Sequence, residues 1–367
     1  MRPPFTVHIM TANLAPGDAI GNYILTQKRL FESWGLRVQL YADAVSPGYP
    51  APAKLSEFYE PHGRDILWYH YSIMAENIAR ARTSTDYKIM DFHGVSPPSL
   101  FTGRNAYLEQ LCQQGLDLLP ELTDDFQAQV VHSDYARDEL TKRGYAPERI
   151  FKLPLVVDTS RFGSPDDAPA NDLTRSLSQI EYLLFVGRLV PQKDILALLD
   201  IFAQVHQQRP ETVLMLVGSP ALSEAYERQI NQRLQAHKLA GRVLFGGQVN
   251  NPRALAQIFQ HARLLVVTSE WESFCVPLVE AMYFGVPPVV HEIPPLPEVG
   301  GAAALVIDKA DHGRAAQQIV NLLENQADYG RLSKAARERA THFTEAQLAE
   351  ATLAMWQTLF LGRGTRP

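Results

Sequence analysis

Two glutamates, Glu272 and Glu280, lie in the run Ser269-Glu-Trp-Glu-Ser-Phe-Cys-Val-Pro-Leu-Val-Glu-Ala-Met-Tyr-Phe-Gly-Val-Pro-Pro. Glu272 falls on a loop and Glu280 inside a short helix, for which Pro277 suits the first turn, Gly285 the C-terminal cap and Pro287 the exit. Were the segment helical throughout, eight steps of roughly 1.5 Å would separate the two backbones by about 12 Å. That is close to the length of a sugar–diphosphate–ribose unit. Between the carboxylates lie the backbone N–H groups of Phe274, Cys275 and Val276, at a helix start where a diphosphate can dock. Glu270 offers a competing register, but eight positions on from it stands Leu278, so the pair is Glu272 and Glu280.

A second constellation is basic. The apolar run Tyr182–Val186 leads into Gly187-Arg188-Leu-Val-Pro-Gln-Lys193-Asp194, and Asp194 is a good N-cap for a following helix. Arg188 and Lys193 therefore flank one strand-to-helix mouth, where the helix dipole already favours an anion by up to ~2 kcal/mol. A diphosphate leaving group gains negative charge as its bond to the sugar breaks. Fixed cations there act more strongly on the transition state than on the bound substrate. Each charge-assisted contact contributes roughly 1.5–3 kcal/mol. Gly218, at the end of the next strand, lets a chain or ligand approach closely.

These motifs resemble those of the family 4 glycosyltransferases, retaining enzymes of the GT-B fold: an E-x7-E pair, a G-R-L-x-x-x-K turn, and the segment Val243-Leu-Phe-Gly246-Gly247-Gln-Val249. The resemblance implies that Glu280 accepts hydrogen bonds from ribose hydroxyls and Glu272 contacts hydroxyls of the donor sugar. A carboxylate suits both tasks because it accepts from two neighbouring hydroxyls at once. The segment ending at Val249 is expected to hold the nucleotide base through its backbone. In the first half of the chain the likeness is looser. Asp91-Phe92-His93-Gly94 ends a strand where the family keeps a histidine, so His93 is expected to donate to a sugar oxygen or organise the acceptor. The loop Pro16–Asn22 resembles the glycine-containing loop that approaches diphosphate and acceptor, which makes Gly17, Asp18, Gly21 and Asn22 candidates. Val131-His-Ser133 and Val157-Asp158-Thr-Ser-Arg-Phe162 echo further family segments. There are four departures. Asp194 stands where the pattern has Gly, Ser273-Phe274-Cys275 replaces Gly-Phe-Gly, the first loop lacks a tandem Gly, and Leu155-Val156 replaces the Asn-Gly before Val157. Cys275 has no His–Asn or His–Asp pattern nearby, which argues against a nucleophilic thiol.

The elements that must position these residues alternate almost from end to end. Strands are expected at Phe5–Met10, Arg37–Tyr41, Asp65–His70, Tyr87–Phe92, Gln129–His132 and Ile150–Leu153, and then at Tyr182–Val186, Thr212–Val217, Val243–Phe245, Leu264–Thr268, Pro288–His291 and Ala304–Ile307. Between them run helical stripes, such as Ile20, Ile24, Gln27, Leu30, Phe31 and Trp34, or Ile195, Leu198, Leu199, Phe202 and Val205. Alternation of this kind means α/β architecture with parallel sheets covered on both faces. Between Phe162 and Ile180 the chain turns polar and loses periodicity, as a linker does. The expectation is two doubly wound Rossmann-like domains facing across a cleft: 1–163 on the acceptor side and 178–344 binding the nucleotide sugar. A last helix, 345–362, carries Leu353, Trp356 and Phe360, and the resemblance implies that it crosses back to the first domain.

Composition narrows the function classes. At 367 residues with net charge −6, the chain is ample for two domains and has no basic half: the first 160 residues carry −4 and the remainder −2. Nucleic acid is not an expected partner. Membrane contact reduces to a peripheral patch near Arg80 and Arg82, since no apolar run is long enough to span a bilayer and the N-terminal stretch has no signal core. Two cysteines form no disulfide framework, so a cytoplasmic setting is the default, with room for peripheral contact at the inner face of the membrane. No G-x-G-x-x-G fingerprint, His/Cys cluster or D-x-D motif is present, so neither a dinucleotide cofactor nor a metal is expected. The resemblance implies a UDP- or GDP-linked sugar as co-substrate and a carbohydrate or lipid-linked acceptor. The alternatives are a sugar-nucleotide epimerase of the same fold and a catalytically silent nucleotide-sugar-binding protein.

Overall fold

A computed structural model describes residues 5–163, 172–219 and 224–361. The chain divides into two compact units, Met1–Asp158 with Phe343–Pro367, and Thr159–His342. Among the described residues the first unit is built on seven strands: β1 (Thr6–Leu14), β2 (Arg37–Val45), β3 (Ala53–Leu55), β4 (Ile66–Tyr71), β5 (Tyr87–Phe92), β6 (Ala128–Val131) and β7 (Ile150–Lys152). The second has six: β8 (Tyr182–Val186), β9 (Val213–Val217), β10 (Val243–Gly247), β11 (Leu264–Val267), β12 (Pro288–His291) and β13 (Leu305–Ile307). Every pairing is parallel.

The strand orders are β3-β2-β1-β4-β5-β6-β7 and β10-β9-β8-β11-β12-β13. Each sheet starts in its middle, winds to one edge, and returns beside its first strand to wind to the other. The reversal points are β1/β4 and β8/β11, and there the loops beyond the carboxyl ends diverge and leave a crevice. Strands β4, β9 and β11 are buried along their whole length. Continuous Val/Leu/Tyr runs, without in–out alternation, are what helices on both faces require.

The helices follow the apolar stripes. Ala19–Ser33 buries Tyr23, Ile24, Gln27, Leu30 and Phe31, with Asp18 as its N-cap. Ile195–Gln208 buries Ile195, Leu198, Leu199, Phe202 and Val205.

Several boundaries differ from the sequence reading. β1 and β2 run on to Leu14 and Val45 because they pair with each other to their ends. β3 is a three-residue edge strand with Leu55 exposed, too short for any pattern to show. The last helix, Glu345–Trp356, belongs to the first unit and gives way to a π turn at Gln357–Leu361. Residue 362 lies outside the described residues. The helix buries Leu348, Thr352 and Met355, whereas Leu353 is 45% exposed. Trp356 and Phe360 do pack inward, on Phe31 and Tyr87 respectively. Of the linker, residues 164–171 also lie outside the described residues. Ser160–Phe162 and the short helix Asp172–Leu177 go with the second unit, because Phe162 is buried against Phe284 and Phe259.

An aromatic cluster ties the last helix into the first unit. Phe31 is fully buried, with ring centroids of Trp356, Trp68 and Trp34 at 5.4, 5.5 and 5.7 Å. Phe31→Ala is expected to cost about 3–5 kcal/mol, read by urea unfolding with tryptophan fluorescence. A loss under about 1 kcal/mol would mean that the indoles close the gap.

Candidate functional site

In the second unit the chain leaves β8 at Gly187 and β11 at Thr268, the two strands that flank the reversal point. Both loops therefore emerge side by side beyond the carboxyl edge. Their backbones are tied. Glu270 N–H donates to the Gln192 carbonyl at 2.8 Å, and Gln192 Nε2 donates to the Trp271 carbonyl at 3.1 Å. Thr268 Oγ1 reaches the carbonyls of Lys193 and Asp194 at 3.2 and 3.0 Å. Across this seam Lys193 Nζ donates to Glu272 Oε1 at 2.6 Å, and the same oxygen accepts from Ser269 Oγ at 2.7 Å. Glu272 is 6% exposed, and this ammonium is its ion-pair partner. Lys193 and Glu272, which the sequence reading gives separate duties, are in direct contact. Arg188 is exposed one residue past Gly187 and, among the described residues, its guanidinium has no ion-pair or hydrogen-bond partner.

Gly218 is required by its neighbour. At φ +146°, a Cβ there would stand 1.8 Å from the Gly187 carbonyl oxygen. The close approach is thus made by the chain itself. Gly218 also lines a pocket of about 340 Å³ with Leu189, Ile230, Asn231, Phe245 and Gly247. β10 slips register between Phe245 and Gly247, whose carbonyl accepts from Gly218 N–H at 2.8 Å. Val249, half-buried, lies two residues beyond that rim.

Glu280 projects from the helix Val276–Tyr283 and is 3% exposed. Burial pushes its carboxyl up from the usual range, and Arg161, hydrogen-bonded to Oε1, opposes that shift. Nothing in the sequence pairs Arg161 with Glu280, because 119 residues separate them. Phe274 and Cys275 are buried and Val276 half-buried at the start of this helix. Cys275 is its N-cap, left-handed at φ 78°, ψ 76°, with no side-chain cap bond. Glycine takes that conformation freely, and it costs a residue with a Cβ roughly 1–3 kcal/mol. Burial keeps the Cys275 thiol protonated well above its ordinary range. Asp194, at φ 47°, is a second left-handed residue that is not glycine.

In the first unit, parallel register places His70 beside Asp91 and Asp91 beside Val130. Alternation then puts Trp68, His70, Asp91, His93 and His132 on one face. Trp68 Nε1 and Gln27 Nε2 donate to Asp91 Oδ2 at 2.7 and 3.3 Å, and His132 Nε2 lies 2.9 Å from Oδ1. His93 Nε2 sits 2.8 Å from His70 Nδ1 and 3.4 Å from Asp91 Oδ1, which leaves Nδ1 for any other partner. Tyr23 from the covering helix stands edge-on to all three imidazoles. Burial opposes ionisation of Asp91, yet His132, His93 and His70 hold its carboxyl well below the usual range.

The ligand atoms of His70, Asp91 and His93, and separately those of His8, Asp65 and Asp86, lie within 4.8 Å of one another, close enough to hold a metal ion. The sequence reading found no such cluster because each one draws its members from separate stretches of the chain. Asp91 is already satisfied by Trp68, Gln27 and His132.

The first loop turns back on the helix that it opens. Gly17 is left-handed, and Asp18 Oδ2 accepts from Gly21 N–H at 2.9 Å as the helix cap. A Cβ on Gly21 would meet the Ala15 carbonyl and Tyr49 at 3.3 Å. Asn22 is half-buried in the first helical turn. Arg82 is not a free basic patch, since it pairs with Asp125 at 2.8 Å. Among the described residues, no helix is long and apolar enough to cross a membrane.

Two parallel, doubly wound units, one of them presenting a Lys–Glu pair at its reversal point, define the class as GT-B. Residues 175–339 match the model of the glycosyl transferases group 1 family, so the chain carries a domain of that family. Mannosylfructose-phosphate synthase of Agrobacterium fabrum is 29% identical over 225 residues, 58% of this chain and 48% of that protein. O-antigen chain mannosyltransferase B of Escherichia coli is 26% identical over 242 residues, 65% of this chain and 62% of that protein. The matched segment thus spans about half to three-fifths of these relatives' length. Among solved structures, sucrose-phosphate synthase from Thermosynechococcus elongatus superposes with TM-score 0.76 at 18% identity, covering 97% of this chain and 100% of that one. Anabaena HepE in complex with UDP and glucose gives 0.77 at 16%, covering 96% and 100%. At such identities the likeness establishes the fold.

Burial holds His70 down to about 4, and the same cause lowers His93. In the unfolded chain both ionise near about 6.5. Between those limits only the unfolded state takes up the protons, so stability falls on acidification from about pH 6.5 towards 4. The expected slope is about 1.4 kcal/mol per pH unit for each histidine. Thermal melts across this range should show a shallower pH dependence in His70→Gln; an identical slope would mean His70 is protonated in the fold.

Proposed function

We propose that this chain is a retaining, metal-independent glycosyltransferase that moves a hexose-type sugar from a nucleotide-diphosphate donor, UDP- or GDP-linked, to a glycan or lipid-linked acceptor. The observation that carries this reading is the Lys193–Glu272 contact at the β8/β11 reversal point, inside the family-matched segment. Retention and the sugar class follow the family resemblance. Relatives that include a mannosyltransferase, and a neighbour solved with UDP and glucose, support a nucleotide-sugar donor.

In this reading Lys193 keeps one N–H on Glu272 and has two left for the diphosphate. Arg188, exposed beside it, supplies the second cation. Glu272 contacts hydroxyls of the donor sugar and Glu280 those of the ribose. The N–H groups of Phe274, Cys275 and Val276 face the phosphates, and Gly187, Gly218 and Val249 border the nucleoside. The 340 Å³ pocket is of a size to take a nucleobase. Within the first unit, the family resemblance assigns His93 and the loop of Gly17, Asp18, Gly21 and Asn22 to the acceptor. As the acceptor oxygen bonds to the anomeric carbon, the bond to the diphosphate oxygen breaks. The hydroxyl proton passes to the phosphate on the same face. Lys193 and Arg188 stabilise the charge that the diphosphate acquires.

Lys193→Ala is expected to lower turnover roughly 10²–10³-fold in a protein that remains folded by circular dichroism. A thermal-shift panel of UDP-, GDP- and ADP-sugars selects the donor for that assay. Wild-type turnover in this variant rejects the charge role, and a donor converted to another sugar without acceptor points to an epimerase instead. Glu280→Ala should weaken binding of the matching nucleoside diphosphate in calorimetry; unchanged affinity removes the ribose contact.

A further inference from the structure

Lys309 stands just past β13, only 7% exposed, and far along the chain from both loops of the site. Its ammonium lies 2.5 Å from Asp194 Oδ2 and 2.6 Å from Glu270 Oε1. Asp194 immediately follows Lys193. Glu270 is two residues from Glu272, and its N–H is bonded to the Gln192 carbonyl. One buried cation therefore joins the loop after β8 to the loop after β11, next to the residues that meet across the seam.

Asp194 is left-handed at φ 47°, ψ 58°, a conformation that glycine takes freely and a residue with a Cβ resists. Its carboxylate is committed twice. Oδ1 accepts from Ala197 N–H at 3.2 Å, capping the helix Ile195–Gln208, and Oδ2 accepts from Lys309. Without Lys309 the two carboxylates would face each other within about 5 Å and repel, driving the loops apart.

We infer that Lys309 is a positioning residue for the Lys193–Glu272 pair, acting through Asp194 and Glu270, and that it is the partner that lets an aspartate occupy a turn built for glycine. The inference rests on the reading of Lys193 and Glu272 as catalytic groups. The segment 191–194 is set by contacts from both sides, and Lys309 adds an ionic one beside the Lys193–Glu272 pair. Displacing that segment moves the Lys193 ammonium relative to any diphosphate while leaving the nucleoside-binding surface of β9 and β10 in place. The effect therefore falls on kcat more than on KM.

The test uses Lys309→Met and the double variant Asp194→Gly/Lys309→Met in the full chain. Nucleoside diphosphate release is followed from UDP-glucose and from GDP-mannose. In Lys309→Met, kcat is expected to fall about tenfold, inside the roughly hundredfold that a 1 Å misplacement costs, with the donor KM within about twofold of wild type. In the double variant glycine takes the left-handed turn unaided and one of the two repelling charges is gone, so kcat recovers to within about threefold of wild type. Wild-type kcat in Lys309→Met, or a double variant as slow as the single one, overturns the inference. Should Lys309→Met not fold, Lys309→Gln replaces it under the same criteria. Amide hydrogen exchange over 190–194 and 268–272 is read on the same proteins without substrate. Faster exchange in the single variant, reversed in the double, supports the lock even when neither donor is turned over, and it is then the transferase reading that fails. Unchanged exchange in both segments overturns the lock.

Discussion

The contact between Lys193 and Glu272 needs two loops that the chain makes some 80 residues apart to end within 3 Å of each other. A parallel sheet with a reversal point supplies this almost for free of local sequence. Strands β8 and β11 are neighbours, their carboxyl ends point the same way, and their outgoing loops separate to opposite faces of the sheet. What remains is to stop the loops drifting. The Glu270–Gln192 backbone bond, the Gln192 amide, the Thr268 hydroxyl and the Lys309 ammonium each hold one part of the seam. The ion pair is thus placed by many weak ties and does not have to create its own geometry.

The site also concentrates backbone strain. Cys275 and Asp194 are left-handed without being glycine, and both belong to the loops that frame the Lys–Glu pair. Neither is compensated in the same manner. Asp194 gains a helix cap and an ammonium. Cys275 gains burial for its side chain, and its carbonyl accepts from Leu278 N–H at 3.1 Å. Strain of this kind persists where the surroundings over-determine the backbone, and such places are enriched at functional sites. In the first unit a different device serves the same end: a buried carboxylate, Asp91, gathers Trp68, Gln27 and three histidines into one hydrogen-bonded face.

Much of the architecture was legible from patterns of two kinds. Buried strands of a parallel sheet are unbroken apolar runs, and amphipathic helices repeat every three to four residues, so β5, β8 and β12 match their expected bounds residue for residue. Short edge elements escaped this reading, as β3 did, because three residues carry no period. The phase of the last helix escaped it too. Trp356 packs inward but Leu353 faces solvent, and which side of a helix is covered depends on what lies against it. In the site, Lys193, Glu272 and Glu280 were visible as motif members. Arg161, Lys309 and the His70–Asp91–His132 group were not, since a lone Arg, Lys or His on an unremarkable stretch has no signature.

The sequence by itself determined the succession of strands and helices, the placing of the acidic and basic motif residues at strand ends, and the absence of any span suited to a bilayer. These depend on local composition and on periods of two and of 3.6 residues, which one chain carries within itself. Only the tertiary structure decided who meets whom: Lys193 with Glu272, Arg161 with Glu280, Lys309 with Asp194 and Glu270, and Asp91 with its histidines. Those contacts are fixed by strand order and register, which pair residues by position in space; separation along the chain, from 39 to 119 residues for these partners in the second unit, says nothing about it.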